Sequence, residues 1–296
     1  MSGIEKDESK ALVTRLNILA LDQTPLAGTL YRPGSATPTL PISVIIGSAT
    51  GVRRHFYDAY ARYLAENGFS VVTFDYRGVG DSCPENLRGY KACARQWGED
   101  FEAVIDWTAR HYPQNELAAV GHSIGGILLG TTRNVNLIGR IVLVGSQSGY
   151  WRLYKMPQKQ AWALLWYVGA PVLTRLFGYF PARMLGFGEN LPAGVIGEFG
   201  RWCRNPSYIV GCDQGAVKER FSQLRGPVLA YSVDDDTTAP LQTVEALLKW
   251  ISNAPIKHRH VSPADVGRKK LGHFGFFRRD MCDSLWAETI DWLGRY

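Results

Sequence analysis

The sequence predicts an α/β fold: a mostly parallel central sheet flanked by helices, with one mainly helical insertion. Three observations carry this reading. Short apolar runs alternate with segments of helical periodicity along most of the chain, the pattern of strands joined by crossover helices. The short apolar run 41–47 (PISVIIG) and the segment 69–75 (FSVVTFD) read as strands covered on both faces. Between about 150 and 218 the strand pattern lapses, and Trp, Tyr, Phe, Leu and Pro take over.

The elements follow in order. Residues 14–21 and 25–31 alternate and are split by Asp22-Gln23-Thr24, which reads as an antiparallel hairpin. Residues 56–67 have helical spacing, and Gly68 closes them as a C-cap. Residues 98–112 repeat the spacing through Phe101, Val104, Ile105 and Trp107. A short strand at 117–120 runs into Gly121-His122-Ser123, and 124–132 reads as the helix that leaves it. Strands are expected at 140–145, 226–233 and 256–261, and a closing helix at 285–296. The expected division is one core domain made of 12–149 and 219–296, with 150–218 as a helical cap.

Composition narrows the function. A chain of 296 residues with 46% apolar content can bury one large core. Its net charge is +6, and the stretch 151–220 carries nearly all of that excess. Those basic residues stand apart among bulky aromatics and form no run, which argues against a nucleic-acid partner. Five cysteines at scattered spacings, with no C-x-x-C pair, indicate neither a zinc site nor a disulfide framework. No metal and no cofactor is therefore expected. The first ten residues lack the apolar core of a signal peptide, so a cytoplasmic location is expected. The uncharged stretch 160–174 falls short of the ~20 residues that span a bilayer and contains Gly169 and Pro171, so no stable membrane anchor is expected. The sequence fixes no oligomeric state.

The chemistry centres on Gly121-His122-Ser123-Ile124-Gly125. The pattern alone is weak, and its context is what matters. Ser123 lies between an apolar strand and an apolar helix. A sharp strand-to-helix turn strains the serine backbone, lifts its hydroxyl clear of the sheet and sets it at the positive end of the helix. The near-miss Gly145-Ser146-Gln147-Ser148-Gly149 has the wrong spacing and reads as a strand-end loop lining the pocket.

A serine hydroxyl needs a base, and the base needs an orienting acid. His258 and His260 alternate along a strand and read as a solvated face; as metal ligands they lack companions. His273 stands in Lys270-Leu271-Gly272-His273-Phe274-Gly275, a loop with glycine on both sides before the last helix, and is the candidate base. After the strand ending near 233 come Asp234, Asp235 and Asp236. Only one can hold the imidazole, and the others are expected to cap the helix starting near Pro240. Three adjacent carboxylates cannot converge on one calcium ion from a strand end. The oxyanion donors should be the N–H of Ile124 and one from Gly47-Ser48-Ala49-Thr50-Gly51, with Thr50 the first choice and Ala49 the alternative.

These pieces together resemble the α/β-hydrolase superfamily over about residues 12–296. The matching motifs are GHSIGG at 121–126, FDYRGVGDS at 74–82, the strand with aspartates at 227–240, and LGHFGFF at 271–277. Within the superfamily the chain looks like the serine aminopeptidase and lysophospholipase-like hydrolases, in particular a bacterial group of predicted hydrolases. Those carry a similar Ala-Thr-Gly-Val-Arg stretch, here 49–53, and a similar Gly-His-Phe-Gly-Phe-Phe ending, here 272–277.

The resemblance implies the α/β-hydrolase fold, with Ser123 as nucleophile and His273 as base. The superfamily's acid usually stands four residues before a proline, which selects Asp236; counting from the strand end selects Asp235. The usual His-Gly before the oxyanion residue is replaced by Ser48-Ala49. The implied activity is cleavage of an ester, amide or thioester through an acyl-enzyme, on a small-molecule apolar acyl substrate. Among the cap aromatics, Trp151, Trp162 and Trp166 are expected to face that substrate. Alternatives are acyl transfer or carbon–carbon cleavage by the same three groups, or a non-catalytic ligand-binding protein on this fold.

Overall fold

Strands β1 (Leu12–Leu19) and β2 (Pro25–Arg32) form the opening antiparallel hairpin. The hairpin closes at Ala20 and not at 21, because the Ala20 N–H donates to the Thr24 carbonyl and Gln23 turns at φ +66°. Then come β3 (Ile42–Gly47), α1 (Asp58–Glu66), β4 (Ser70–Phe74), α2 (Ala94–His111), β5 (Glu116–His122), α3 (Ile124–Leu129) and β6 (Ile138–Val144). A mainly helical stretch follows: α4 (Gln158–Leu164), α5 (Ala170–Phe177), β7 (Tyr179–Phe180), β8 (Leu191–Pro192), α6 (Ala193–Arg204) and α7 (Ala216–Gln223). The chain returns through β9 (Val228–Val233), α8 (Leu241–Leu248), β10 (Ile256–Val261) and α9 (Ala287–Gly294). This computed structural model describes residues 10–213 and 215–294; the polar residues 1–9 and the last two positions of the expected closing helix lie outside the described residues.

The sheet has the order β1-β2-β4-β3-β5-β6-β9-β10. The pairs from β4 through β10 are parallel, and β1–β2 and β2–β4 are antiparallel. β6 and β9 are paired neighbours, so residues 145–227 leave and re-enter the sheet between adjacent strands. Helices cover both faces. Ile45, Val72, Leu143 and Ala230 pack on one side with α2, α3 and α8. Val44, Ile46, Val142 and Tyr231 pack on the other with α1 and α9. This alternation of neighbours between faces is the period of two that a strand imposes. With both faces covered, β3, β4 and β9 are buried along their whole length.

Several boundaries shift for local reasons. α2 starts at Ala94, four residues before the expected 98, because the Gln96 side chain accepts the orphan Cys93 N–H at 3.0 Å. α3 stops at Leu129, short of the expected 132. The hydroxyls of Thr131 and Thr132 take the carbonyls of Leu128 and Leu129 at 2.6 and 2.9 Å. The two-residue pair β7–β8 was not expected from the pattern, since strands that short leave no periodicity.

His258 and His260 do lie on one face of β10, but not as a solvated face. Both rings meet the buried Ser232 hydroxyl, at 2.8 and 2.7 Å, and His260 also meets Asp234 at 2.7 Å. Asp234 accepts only, so His260 donates from Nε2 and accepts the Ser232 proton at Nδ1; His258 must then donate to Ser232. Among the described residues no group of three or more His, Cys, Asp or Glu is arranged to hold a metal.

Two buried ion pairs fix the segment after β4. Asp75 pairs with Arg54 and accepts the N–H groups of Arg54 and Asp81 at 2.6 and 3.0 Å. Arg77 donates to Asp100 from its backbone at 2.9 Å and from Nε at 2.7 Å, and reaches Asp22 at 2.6 Å. Burial pushes the Asp100 carboxyl up to about 6 against the pull of Arg77. Breaking one partner of such a pair costs about 3–5 kcal/mol, because the other charge is left in the core. Urea unfolding of Arg77→Met should read a loss of that size, and Arg77→Met with Asp100→Leu should recover much of it.

Candidate active site

The loops at the carboxyl ends of β3, β5, β6 and β9 converge on one region, as ligand sites in parallel sheets do. Ser123 sits at the turn between β5 and α3 with φ +54° and ψ −119°, far from ordinary serine geometry. Its N–H donates to the Val144 carbonyl at 2.9 Å, which ties the turn to β6. The flanking glycines are obligatory for packing. A Cβ on Gly121 would stand 2.4 Å from the Gly126 Cα, and one on Gly125 would stand 2.2 Å from the Gly47 carbonyl oxygen. Side chains there would push the helix off the strands. Ile124 opens α3, so its N–H points out of the helix start without an intrahelical acceptor.

His273 and Asp236 meet at 2.7 Å, Nδ1 to Oδ2, both buried. A carboxylate only accepts, so Nδ1 carries the proton and Nε2 keeps the lone pair. The other Asp236 oxygen accepts the N–H groups of Thr238 and Ala239, each at 2.8 Å. Asp235 instead holds the histidine loop: it accepts the N–H of Leu271 at 3.0 Å and of Gly272 at 2.7 Å. Asp234 takes His260. The expectation that the spare aspartates cap the following helix is therefore corrected. The aspartate that meets the imidazole also holds the N–H groups ahead of α8, and its neighbours face two other elements.

Ser123, His273, Thr50 and Ala49 line one cavity of about 220 Å³. Trp162 and Trp166 line it too, stacked at 5.9 Å, with Leu165, Phe187, Ile196 and Phe199. Trp151 does not. It packs edge-on to Tyr167 and lies under the Arg152 guanidinium, because its short turn ends before α4 brings the helical aromatics inward. The 145–149 loop does not line the cavity either; it supports the site from behind. Ser146 donates to the Gly121 carbonyl at 3.1 Å. Gly145, at φ +55°, leaves room for the histidine, since a Cβ there would stand 3.1 Å from its Cε1 and 3.4 Å from Asp236 Oδ2.

Two residues that sequence reasoning missed join these parts. The Tyr57 hydroxyl accepts the Ala49 N–H at 2.9 Å and meets His122 Nδ1 at 2.8 Å. His122 Nε2 meets the His273 carbonyl oxygen at 3.0 Å. That carbonyl cannot donate, so His122 carries its proton on Nε2 and accepts from Tyr57 at Nδ1. Complete burial, reinforced by the nearby His273, holds the His122 imidazole far below its ordinary pKa, so it stays neutral. The N–H of Ala49, one of the two oxyanion candidates, is thus already spent on Tyr57.

Parallel sheet order, a strained serine elbow and an aspartate-held histidine lining the same cavity as the serine are joined by a likeness of the whole chain to solved hydrolases. A thermostable carboxyl esterase of Bacillus coagulans superimposes over 95% of this chain and 97% of its own, with a TM-score of 0.66 at 14% identity. The chain has the α/β-hydrolase fold. Residues 44–176 match the family model described as serine aminopeptidase, S33. The human phospholipase ABHD3 is 32% identical over 114 residues, which is 38% of this chain but only 25% of that protein's length. The quorum-quenching protein AidA of Acinetobacter baumannii is 25% identical over 291 residues, 90% of each. Among the described residues, no helix is long and apolar enough to cross a membrane.

Replacing Tyr57 by Phe would strip partners from two buried groups, the Ala49 N–H and His122 Nδ1. Each unsatisfied group costs about 1–3 kcal/mol, so urea unfolding of Tyr57→Phe should read a loss of at least about 1 kcal/mol. Tyr76→Phe, whose hydroxyl meets no hydrogen-bond partner among the described residues, should cost less.

Proposed function

We propose that this hydrolase cleaves an ester bond on a neutral, single-chain acyl substrate, through an acyl-enzyme on Ser123. The observation that carries the proposal is that His273, held by Asp236 at 2.7 Å, lines the same cavity as Ser123. Asp236 holds His273 in the tautomer whose Nε2 can take the Ser123 proton. The serine oxygen attacks the carbonyl carbon, and the N–H groups of Ile124 and Thr50 stabilise the oxyanion. His273 then gives its proton to the leaving alcohol. Water, deprotonated by His273, hydrolyses the acyl-enzyme and restores Ser123.

The cavity lining argues for the acyl class. Apart from His273 it includes no ionisable side chain, and Trp162, Trp166, Phe180, Phe187, Leu191, Ile196 and Phe199 dominate it. An aminopeptidase would need a carboxylate there for the substrate ammonium. A volume of about 220 Å³ falls below the ~300–1,000 Å³ of drug-sized ligand sites, which favours one acyl chain over a two-chain lipid. In this reading residues 150–218 are a cap over the core domain. They supply most of the apolar wall, and Trp162 and Trp166 contact the acyl chain.

Ser123→Ala should abolish hydrolysis of p-nitrophenyl butyrate and labelling by a fluorophosphonate probe; undiminished turnover would overturn the assignment. The two aspartates separate by magnitude. Asp236→Asn frees the imidazole to take the wrong tautomer and should lower kcat by about 10⁴. Asp235→Asn only loosens the 271–272 backbone and should cost about tenfold, on the scale of a supporting hydrogen bond. Steady-state kinetics of the pair decide between them, and equal losses would refute the division of labour.

A further inference from the structure

The outer face of the cap presents a surface that nothing in the reaction uses. From residue 158 to 177 the chain is helical, α4 passing through one wider turn at Leu165–Gly169 into α5. Its exposed face is Leu164, Tyr167, Val168, Val172 and Leu176, between 49% and 67% accessible, with Pro171 among them. No charged residue occurs from 160 to 174. An amphipathic helix on a protein surface normally shows water its polar side; this one shows its apolar side. The loop after β7 adds Met184, Leu185 and Phe187, at 73%, 43% and 54%. Phe187 and Leu165 also line the catalytic cavity, so the apolar face runs on to its mouth.

Charge completes the picture. Residues 151–188 contain five basic side chains, Arg152, Lys155, Lys159, Arg175 and Arg183, and no acidic one. They stand at both ends of the apolar stretch and in the loop beside it. We propose that this face docks the hydrolase reversibly on an anionic lipid bilayer, the apolar stripe entering the interface and the basic residues meeting the headgroups. A second copy of the chain is the poorer fit. A two-fold contact would press the same five cations against themselves and seal the cavity mouth. A bilayer supplies opposite charge, accepts the apolar face and leaves the mouth facing a source of acyl chains.

Docking is a property of the surface and does not require the triad, so the test uses the Ser123→Ala protein, which cannot consume lipid by the proposed route. Its co-sedimentation is measured with vesicles of phosphatidylcholine alone and with roughly one-third phosphatidylglycerol. The expected result is binding at least about tenfold tighter to the anionic vesicles, weakened by salt. Arg175→Glu should weaken it about tenfold, and Val168→Asp with Leu176→Asp should remove it. The same substitutions in the active protein should leave p-nitrophenyl butyrate hydrolysis intact, since none of the three residues lines the cavity; that also establishes folding. No binding to either vesicle, or binding indifferent to these substitutions, overturns the proposal. So does a dimer in analytical ultracentrifugation that Val168→Asp dissolves while vesicles bind nothing. Loss of docking leaves the Ser123 assignment standing, and loss of that assignment leaves docking standing.

Discussion

The structure turns on one close approach, where β5 crosses the start of α3. The strand and the helix come so near that a methyl group on Gly121 would stand 2.4 Å from the Gly126 Cα. Only this proximity lets the chain reverse within a residue, and only the reversal forces Ser123 to φ +54°. Strain of this kind costs on the order of 1–3 kcal/mol and persists only where neighbours over-determine it. The neighbours do so here. Val144 holds the Ser123 N–H, Ser146 holds the Gly121 carbonyl, and the Gly47 carbonyl leaves Gly125 no room for a side chain. Three adjacent strands thus clamp one residue.

The same elbow is a junction for the loops around it. His122 donates a hydrogen bond from Nε2 to the His273 carbonyl and accepts one at Nδ1 from Tyr57, whose oxygen accepts the Ala49 N–H. The loop before α1, the elbow and the histidine loop are therefore linked by three hydrogen bonds in a fixed donor order. The order cannot reverse, because both ends are backbone groups of fixed role. A protonated His122 would have two donors and would break it, and burial prevents that protonation. The histidine beside the serine thus acts as a neutral spacer that sets distances, with no proton of its own to give to the chemistry.

Much of this was legible in the sequence. Parallel strands buried on both faces give short, mostly apolar segments, so β3, β4 and β9 announced themselves, as did the glycines around Ser123. What was not legible depended on which of several like groups meets which partner. Asp234, Asp235 and Asp236 look alike in one dimension. Successive residues at a strand end point in different directions, so the first meets β10, the second the 271–272 backbone, and the third His273. Tyr57 lies 65 residues from His122, and no local pattern signals such a pairing. Gly145 read as part of a serine-rich loop; its role is an absence of atoms beside a ring, which only the fold brings close. Trp151 was misplaced because composition counts aromatics without saying which way they face.

Charge distribution resolves a conflict that composition left open. Taking residues 150–218 as the proposed cap, most of the excess positive charge lies there and suggests a basic pocket for an acidic substrate. Yet the cavity wall holds no lysine, arginine or carboxylate, and the cap's cations lie outside it. Several are engaged there: Arg183 with Glu189, and Arg204 and Arg152 over the rings of Tyr167 and Trp151. A cation inside so apolar a cavity would face a desolvation cost that a neutral acyl chain could not offset. The positive charge therefore bears on what approaches the cap from outside, and the apolar lining bears on what enters. The two halves of the cap's composition answer to different neighbours, which is why neither could be read from their sum.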